Sequence, residues 1–97
     1  TDVPVLPIEE VETSYYLRLR VLDKPGVLAD VTRILADQSI SIDAMLQREP
    51  EEGESQTDII ILTHRTREKN IDAAIARIEL LSVVKTKITR LRLEELL

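Results

Sequence analysis

The residues of this 97-residue chain best placed to do chemistry are Asp23-Lys24-Pro25-Gly26-Val27-Leu28. Pro25 sets φ for a turn, and Gly26 lets the backbone approach another group with no Cβ in the way. The N–H groups of Gly26, Val27 and Leu28 then point out of a helix N-terminus, a natural place for a carboxylate. Asp23 stands beside that place and suits an ammonium group. A carboxylate site next to an ammonium site describes a free amino acid. Ser41 is the second residue of interest, at the start of a strand pattern in which Ile40 and Ile42 point the other way. It reads either as a polar residue on an edge strand or as a hydroxyl that hydrogen-bonds a ligand at a subunit interface.

Other chemistry finds little support. The only glycines are Gly26 and Gly53, so a P-loop and a dinucleotide fingerprint are excluded. His64 is the single histidine and there is no cysteine, so no triad or thiolate metal site is assigned. The carboxylates of Glu49-Pro50-Glu51-Glu52-Gly53-Glu54-Ser55 lack the alternate spacing of a calcium loop and read as a solvated hairpin. No catalytic residue and no metal ligand is expected. The chain reads as a binding module.

The positioning elements follow from periodicity. Leu17, Leu19 and Val21 alternate with Arg18 and Arg20 in a first strand running from Tyr15 to Leu22. Val27, Leu28, Val31, Ile34 and Leu35 recur at helical spacing, to about Gln38. A second strand is expected from Ile40 to Arg48, with Ile40, Ile42, Ala44 and Leu46 on one face. A third runs from Thr57 to His64, apolar on both faces as an interior strand is. Thr66 is an N-cap candidate for a second helix whose buried stripe is Ile71, Ala74, Ile75, Ile78 and Leu81. The last strand, Val83 to about Leu93, changes phase: Val84, Thr86 and Ile88 share one face and Leu91 and Leu93 the other. A bulge or a C-terminal end packed on a neighbour explains that change equally well.

This order, β-α-β-β-α-β, predicts an α+β, ferredoxin-like sandwich: a four-stranded antiparallel sheet with two helices on one face. The other face needs cover or polarity, which Arg18, Arg20, Lys85 and Lys87 can supply. Residues 1–13, with Pro4, Pro7 and the acids Glu9, Glu10 and Glu12, read as a linker, and residues 14–97 as one domain. A net charge of −5 and two aromatic residues, both tyrosine, argue against a nucleic-acid surface. The longest aliphatic run, Ile59-Ile60-Ile61-Leu62, is far too short to span a bilayer. The absence of cysteine is compatible with the cytoplasm.

The Asp23–Leu28 turn, the Ile40-Ser41-Ile42-Asp43-Ala44-Met45-Leu46-Gln47 strand and the element order together resemble an ACT domain, the small amino-acid-sensing module of biosynthetic enzymes. The resemblance covers roughly residues 15 to 93. The second strand, with Val5-Leu6-Pro7-Ile8 and Tyr15-Tyr16-Leu17-Arg18, also resembles the C-terminal region of bacterial homoserine dehydrogenases. The resemblance implies side-by-side pairing of two copies with their sheets joined, and amino-acid binding at the interface. The positions it implies for the effector are Asp23, the backbone of Gly26, Val27 and Leu28, and Ser41 with Ile42 across the interface. Some ACT domains carry Asn where this chain has Asp23, and many carry Asn where it has Ser41. For a homoserine dehydrogenase the implied effector is threonine, as feedback inhibitor. The resemblance also implies that residues 1–13 lead in from an upstream catalytic region, absent here, where the NADP-linked chemistry resides. This chain itself would hold no cofactor and perform no catalysis.

Two other readings remain open. One is an ACT-type dimerisation module with an empty site. The other is a serine-sensing ACT domain of another biosynthetic enzyme, such as phosphoglycerate dehydrogenase. An acylphosphatase-like enzyme would need a phosphate-cradling glycine loop, and an RNA-binding module would need strand aromatics and a basic face. Neither set is present.

Overall fold

The computed structural model describes residues 7–93. A 3₁₀ turn, Ile8–Glu10, leads into β1 (Glu12–Leu22), α1 (Val27–Asp37), β2 (Ile42–Gln47) and β3 (Gln56–Thr63). The short β4 (Thr66–Arg67), α2 (Glu68–Glu79) and β5 (Thr89–Leu93) complete the order. All pairings are antiparallel: β3 joins β2 to β1, and β5 also pairs with β1. Tyr16–Leu22 of β1 pair with β3 and Glu12–Thr13 with β4, so β4 prolongs the line of β3. The sheet thus has five strands in four positions, with β2 and β5 at its edges. The α+β, ferredoxin-like expectation holds.

One core, aliphatic apart from buried Tyr15, forms between the sheet and the two helices. Leu17, Leu19 and Val21 of β1 and Ile59 and Ile61 of β3 meet Val31 and Leu35 of α1 and Ile71, Ala74 and Ile78 of α2. With no Phe or Trp to fill space, close packing of branched side chains does the work. The C-terminus of α1 closes as a Schellman motif. Ser39 takes a left-handed φ of 59°, its N–H donates to Ala36 O, and the Ile40 N–H donates to Leu35 O. Buried Ile40 then steers the chain toward β2.

Four details differ from the periodicity reading. β1 begins at Glu12, three residues before Tyr15, because β4 extends the ladder there. Thr66 does not cap α2: it is buried and paired with Thr13, and Arg67 holds the N-cap position with no side-chain cap. In β2 the register shifts between Ile42, opposite buried Thr63, and Ala44, opposite Leu62. That bulge at Asp43 leaves Ile42 on the helix side and moves Ala44 and Leu46 to the open face.

The last strand is interrupted. Val84 bridges Val21, then two extra residues loop out before Thr89 pairs with Arg18. An even insertion preserves the pleat, so Val84, Ile88, Arg90 and Arg92 all fall on the helix side. The apparent phase change is chemical: Arg90 and Arg92 turn inward to Asp72 and Glu68 of α2. Leu91 and Leu93 therefore face outward.

Candidate functional site

The β1–α1 turn brings Asp23, Gly26, Val27 and Leu28 together, as expected. Gly26 is the N-cap of α1, left-handed at φ 86°, and a Cβ there would meet no atom within 4 Å. The turn is held by the Asp23 N–H donating to Ser55 O at 2.9 Å and the Lys24 N–H donating to Leu22 O at 3.0 Å. Val27 N–H spends itself on a long 3.4 Å bond to Lys24 O, so it is less available to a ligand than the sequence reading expects. Among the described residues no carbonyl or side chain takes the N–H groups of Gly26 and Leu28. The Asp23 carboxylate is exposed and likewise has no partner among the described residues. Two free donors at the positive end of a helix therefore lie beside a free anion.

Of this turn Asp23 alone lines a cleft of about 450 Å³, together with Gln47, Arg48, Glu49 and Pro50 at the end of β2; Gly26, Val27 and Leu28 lie outside its lining. The contribution of Gln47 and Arg48 escaped the sequence reading, because only strand length decides which end of β2 reaches the turn. Ser41 and Ile42 are not part of this cleft. They sit at the other end of β2, beyond an 11-residue α1 about 16 Å long. Ser41 is exposed and its carbonyl accepts the His64 N–H at 2.9 Å. Ile42 is half-buried against the core. His64, expected to stand alone, has its Nε2 3.7 Å from Asp43 Oδ1, with both side chains exposed. No cluster able to hold a metal occurs among the described residues.

The open face carries a second polar network that the sequence reading did not assemble. Asp58, its side chain only 7% exposed, accepts from Arg18 Nη2 at 2.9 Å and Arg20 Nη1 at 3.2 Å. Arg20 Nη2 also reaches Glu54 Oε2 at 3.2 Å. Burial pushes the Asp58 carboxyl up, but the hydrogen bonds and charges of Arg18 and Arg20 outweigh it and hold the group below its ordinary value. A carboxyl with a depressed folded pKa adds stability above its unfolded pKa, and that stability is lost as pH falls through the folded value. Asp58→Asn should therefore flatten the acid limb of stability against pH, below about pH 4, with little change in shape at neutral pH. Urea unfolding at a series of pH values measures this.

On the helix side, Glu68 performs a similar task. Its Oε1 accepts Arg92 Nη2 at 2.7 Å and the Tyr15 hydroxyl at 3.4 Å. Burial, then the neighbouring Glu68 charge, push the Tyr15 hydroxyl above its usual pKa.

Comparison with known proteins identifies the family and the fold. Residues 15–80 match the ACT domain family. The chain is 68% identical over 95 residues to a homoserine dehydrogenase of Methylobacillus glycogenes, covering 98% of this chain and 23% of that protein. It is 44% identical over 96 residues to the homoserine dehydrogenase of Pseudomonas aeruginosa, covering 99% of this chain and 22% of that one. The crystal structure of a homoserine dehydrogenase from Thiobacillus denitrificans superposes with a TM-score of 0.86 at 61% identity, over 98% of this chain and 20% of that chain. The ACT domain from the GTP pyrophosphokinase of Chlorobium tepidum shares the fold alone, with a TM-score of 0.67 at 12% identity over 84% of this chain and all of that one. This chain spans about a fifth of the length of the dehydrogenases it matches. The uncapped α1 turn, the sheet order and the match over residues 15–80 agree: the chain belongs to the ACT domain family.

Proposed function

We propose that this chain is the effector-binding regulatory domain of a homoserine dehydrogenase, sensing L-threonine as feedback inhibitor of aspartate-family biosynthesis. The observation that carries the reading is the pair of N–H groups, Gly26 and Leu28, and the Asp23 carboxylate beside them, all without partners among the described residues. Together they suit the two charged ends of an amino acid. The similarity to homoserine dehydrogenases supports the parent, and the parent supports threonine.

Ser41 and Ile42 enter through a second copy. Among the described residues β2 is an edge strand with one side unpaired. When two such edges pair antiparallel about a two-fold axis, the start of one strand lies opposite the end of the other. Ser41 and Ile42 of one copy then come toward Gln47, Arg48 and Asp23 of its mate, and each dimer holds two composite sites. Threonine favours whichever association completes those sites, with a coupling of about 1–3 kcal/mol. The segment before β1 carries the rearrangement to an upstream catalytic region, where NADP binds and hydride transfer occurs in the cytoplasm.

A thermal-shift series with L-threonine, L-serine, L-isoleucine and L-methionine tests this. A ligand at one hundred times its Kd adds about 2.7 kcal/mol to native stability. The expected outcome is a shift with L-threonine alone. A shift with L-serine alone would move the parent toward another biosynthetic enzyme, and none at all would favour an empty dimerisation module. Asp23→Ala should lower threonine affinity in calorimetry at least about tenfold, a loss of roughly 1.4 kcal/mol, while leaving the unliganded melting temperature unchanged. Unchanged affinity removes Asp23 from the site.

A further inference from the structure

The open face of the sheet, turned away from both helices, is apolar at its centre. Antiparallel partners point to one side, so Leu91, Tyr16 and Leu62 form one row. Ile60 and Leu46 stand in the next row, across from Arg18. Leu46 is 58% exposed, Leu91 55% and Leu93 40%. β5 makes this face unusual. An edge strand ordinarily sends leucines to the core and arginines to water. Here Arg90 and Arg92 are turned toward Asp72 and Glu68, and the leucines face out. That arrangement spends ion pairs to put apolar side chains on a surface that water covers unless another molecule does.

At one end of the same face stand Arg18, Arg20 and Lys87, around a cleft that also includes Asp58. Asp58 is shared between the two arginines and Glu54 meets Arg20, so the rim remains cationic.

We infer that this face docks against the remaining polypeptide of the parent dehydrogenase, on an apolar patch edged by carboxylates; the inference rests on the proposed parentage. Two observations select this occupant over a second copy. Four strands at about 4.8 Å spacing and three rows of side chains offer roughly 400 Å², about half of the roughly 800 Å² per partner in a stable interface. A tethered partner needs no such area, because the linker supplies an effective concentration, and the relatives carry about four-fifths of their length outside this segment. In addition, a second copy brings Arg18, Arg20 and Lys87 to the contact rather than the carboxylates that would complement this rim.

The chain lacks cysteine, which makes thiol labelling a clean probe. Leu46→Cys, Leu91→Cys and, as control on the outer side of α1, Ala36→Cys are made in the 97-residue chain. The same variants are made in the full-length Methylobacillus glycogenes enzyme carrying this chain over its own segment, and labelling is followed peptide by peptide. Labelling at positions 46 and 91 should slow at least about tenfold in the full-length enzyme relative to the isolated chain, with position 36 unchanged. Lys87→Glu should restore part of the lost rate. Equal rates in both contexts overturn the proposal. Protection at position 91, on β5 away from the β2 edge, already present in an isolated chain that sediments as a dimer overturns it in favour of a second copy, and an unaffected rate in Lys87→Glu removes the acidic rim. The threonine-linked thermal shift is read on the wild-type chain, so failure of that reading shows separately.

Discussion

Gly26→Val should abolish the threonine-linked rise in melting temperature and also lower the melting temperature of the unliganded domain. The two losses have different causes, which a second substitution separates. Gly26 sits at φ 86°, where an L-residue with a side chain costs roughly 1–2 kcal/mol and a β-branched one more. Space is not the difficulty, since a Cβ would meet nothing within 4 Å. The same open space is what a carboxylate needs to reach the N–H groups of Gly26 and Leu28. Asn tolerates the left-handed region better than other side chains. Gly26→Asn should therefore keep most of the stability and still weaken threonine binding at least about tenfold. Calorimetry on Gly26→Asn is the decisive measurement. Wild-type affinity there would take the helix terminus out of the binding site.

Ile61→Ala should be a strongly destabilising change in the sheet. Ile61 is fully buried, lies in β3 between Leu17 of β1 and Met45 of β2, and faces both helices. Truncating such a residue costs about 2–5 kcal/mol, a large share of the roughly 5–15 kcal/mol that holds a domain together. Its neighbour Leu62 points to the open face and is half-buried. Leu62→Ala should cost less than about 1 kcal/mol in the isolated chain. Urea unfolding of the two variants compares them directly. Equal losses would mean that the open face is already covered in the isolated chain.

Much of this was legible without coordinates. The element order, the amphipathic helices and the interior character of β3 follow from the 3.6- and 2-residue periods of the apolar residues, almost all Ile, Leu, Val and Ala. The Asp23–Leu28 turn was legible because Pro25-Gly26 before an amphipathic run has few backbone solutions. Thr66 misled for a physical reason: a threonine before a helix caps it only when its backbone is free, and Thr66 is committed to pairing with Thr13. The β2 bulge was hidden because a single shifted residue inverts a face while leaving the local alternation intact.

The sequence by itself determined the fold class, the position of the Asp23–Leu28 turn at the start of α1, and membership of the ACT family. Local patterns suffice for these, because each is written in residues close together in the chain. The tertiary structure alone decided the rest. Strand register made Arg18 and Arg20 share buried Asp58, across about 40 residues of chain. The length of β2 brought Gln47 and Arg48 to the Asp23 cleft and kept Ser41 and Ile42 at the far end. Docking of α2 turned Arg90 and Arg92 inward and sent Leu91 and Leu93 to the open face. Each of these joins residues distant in sequence, and hydrophobic periodicity carries no information about which distant residues will meet.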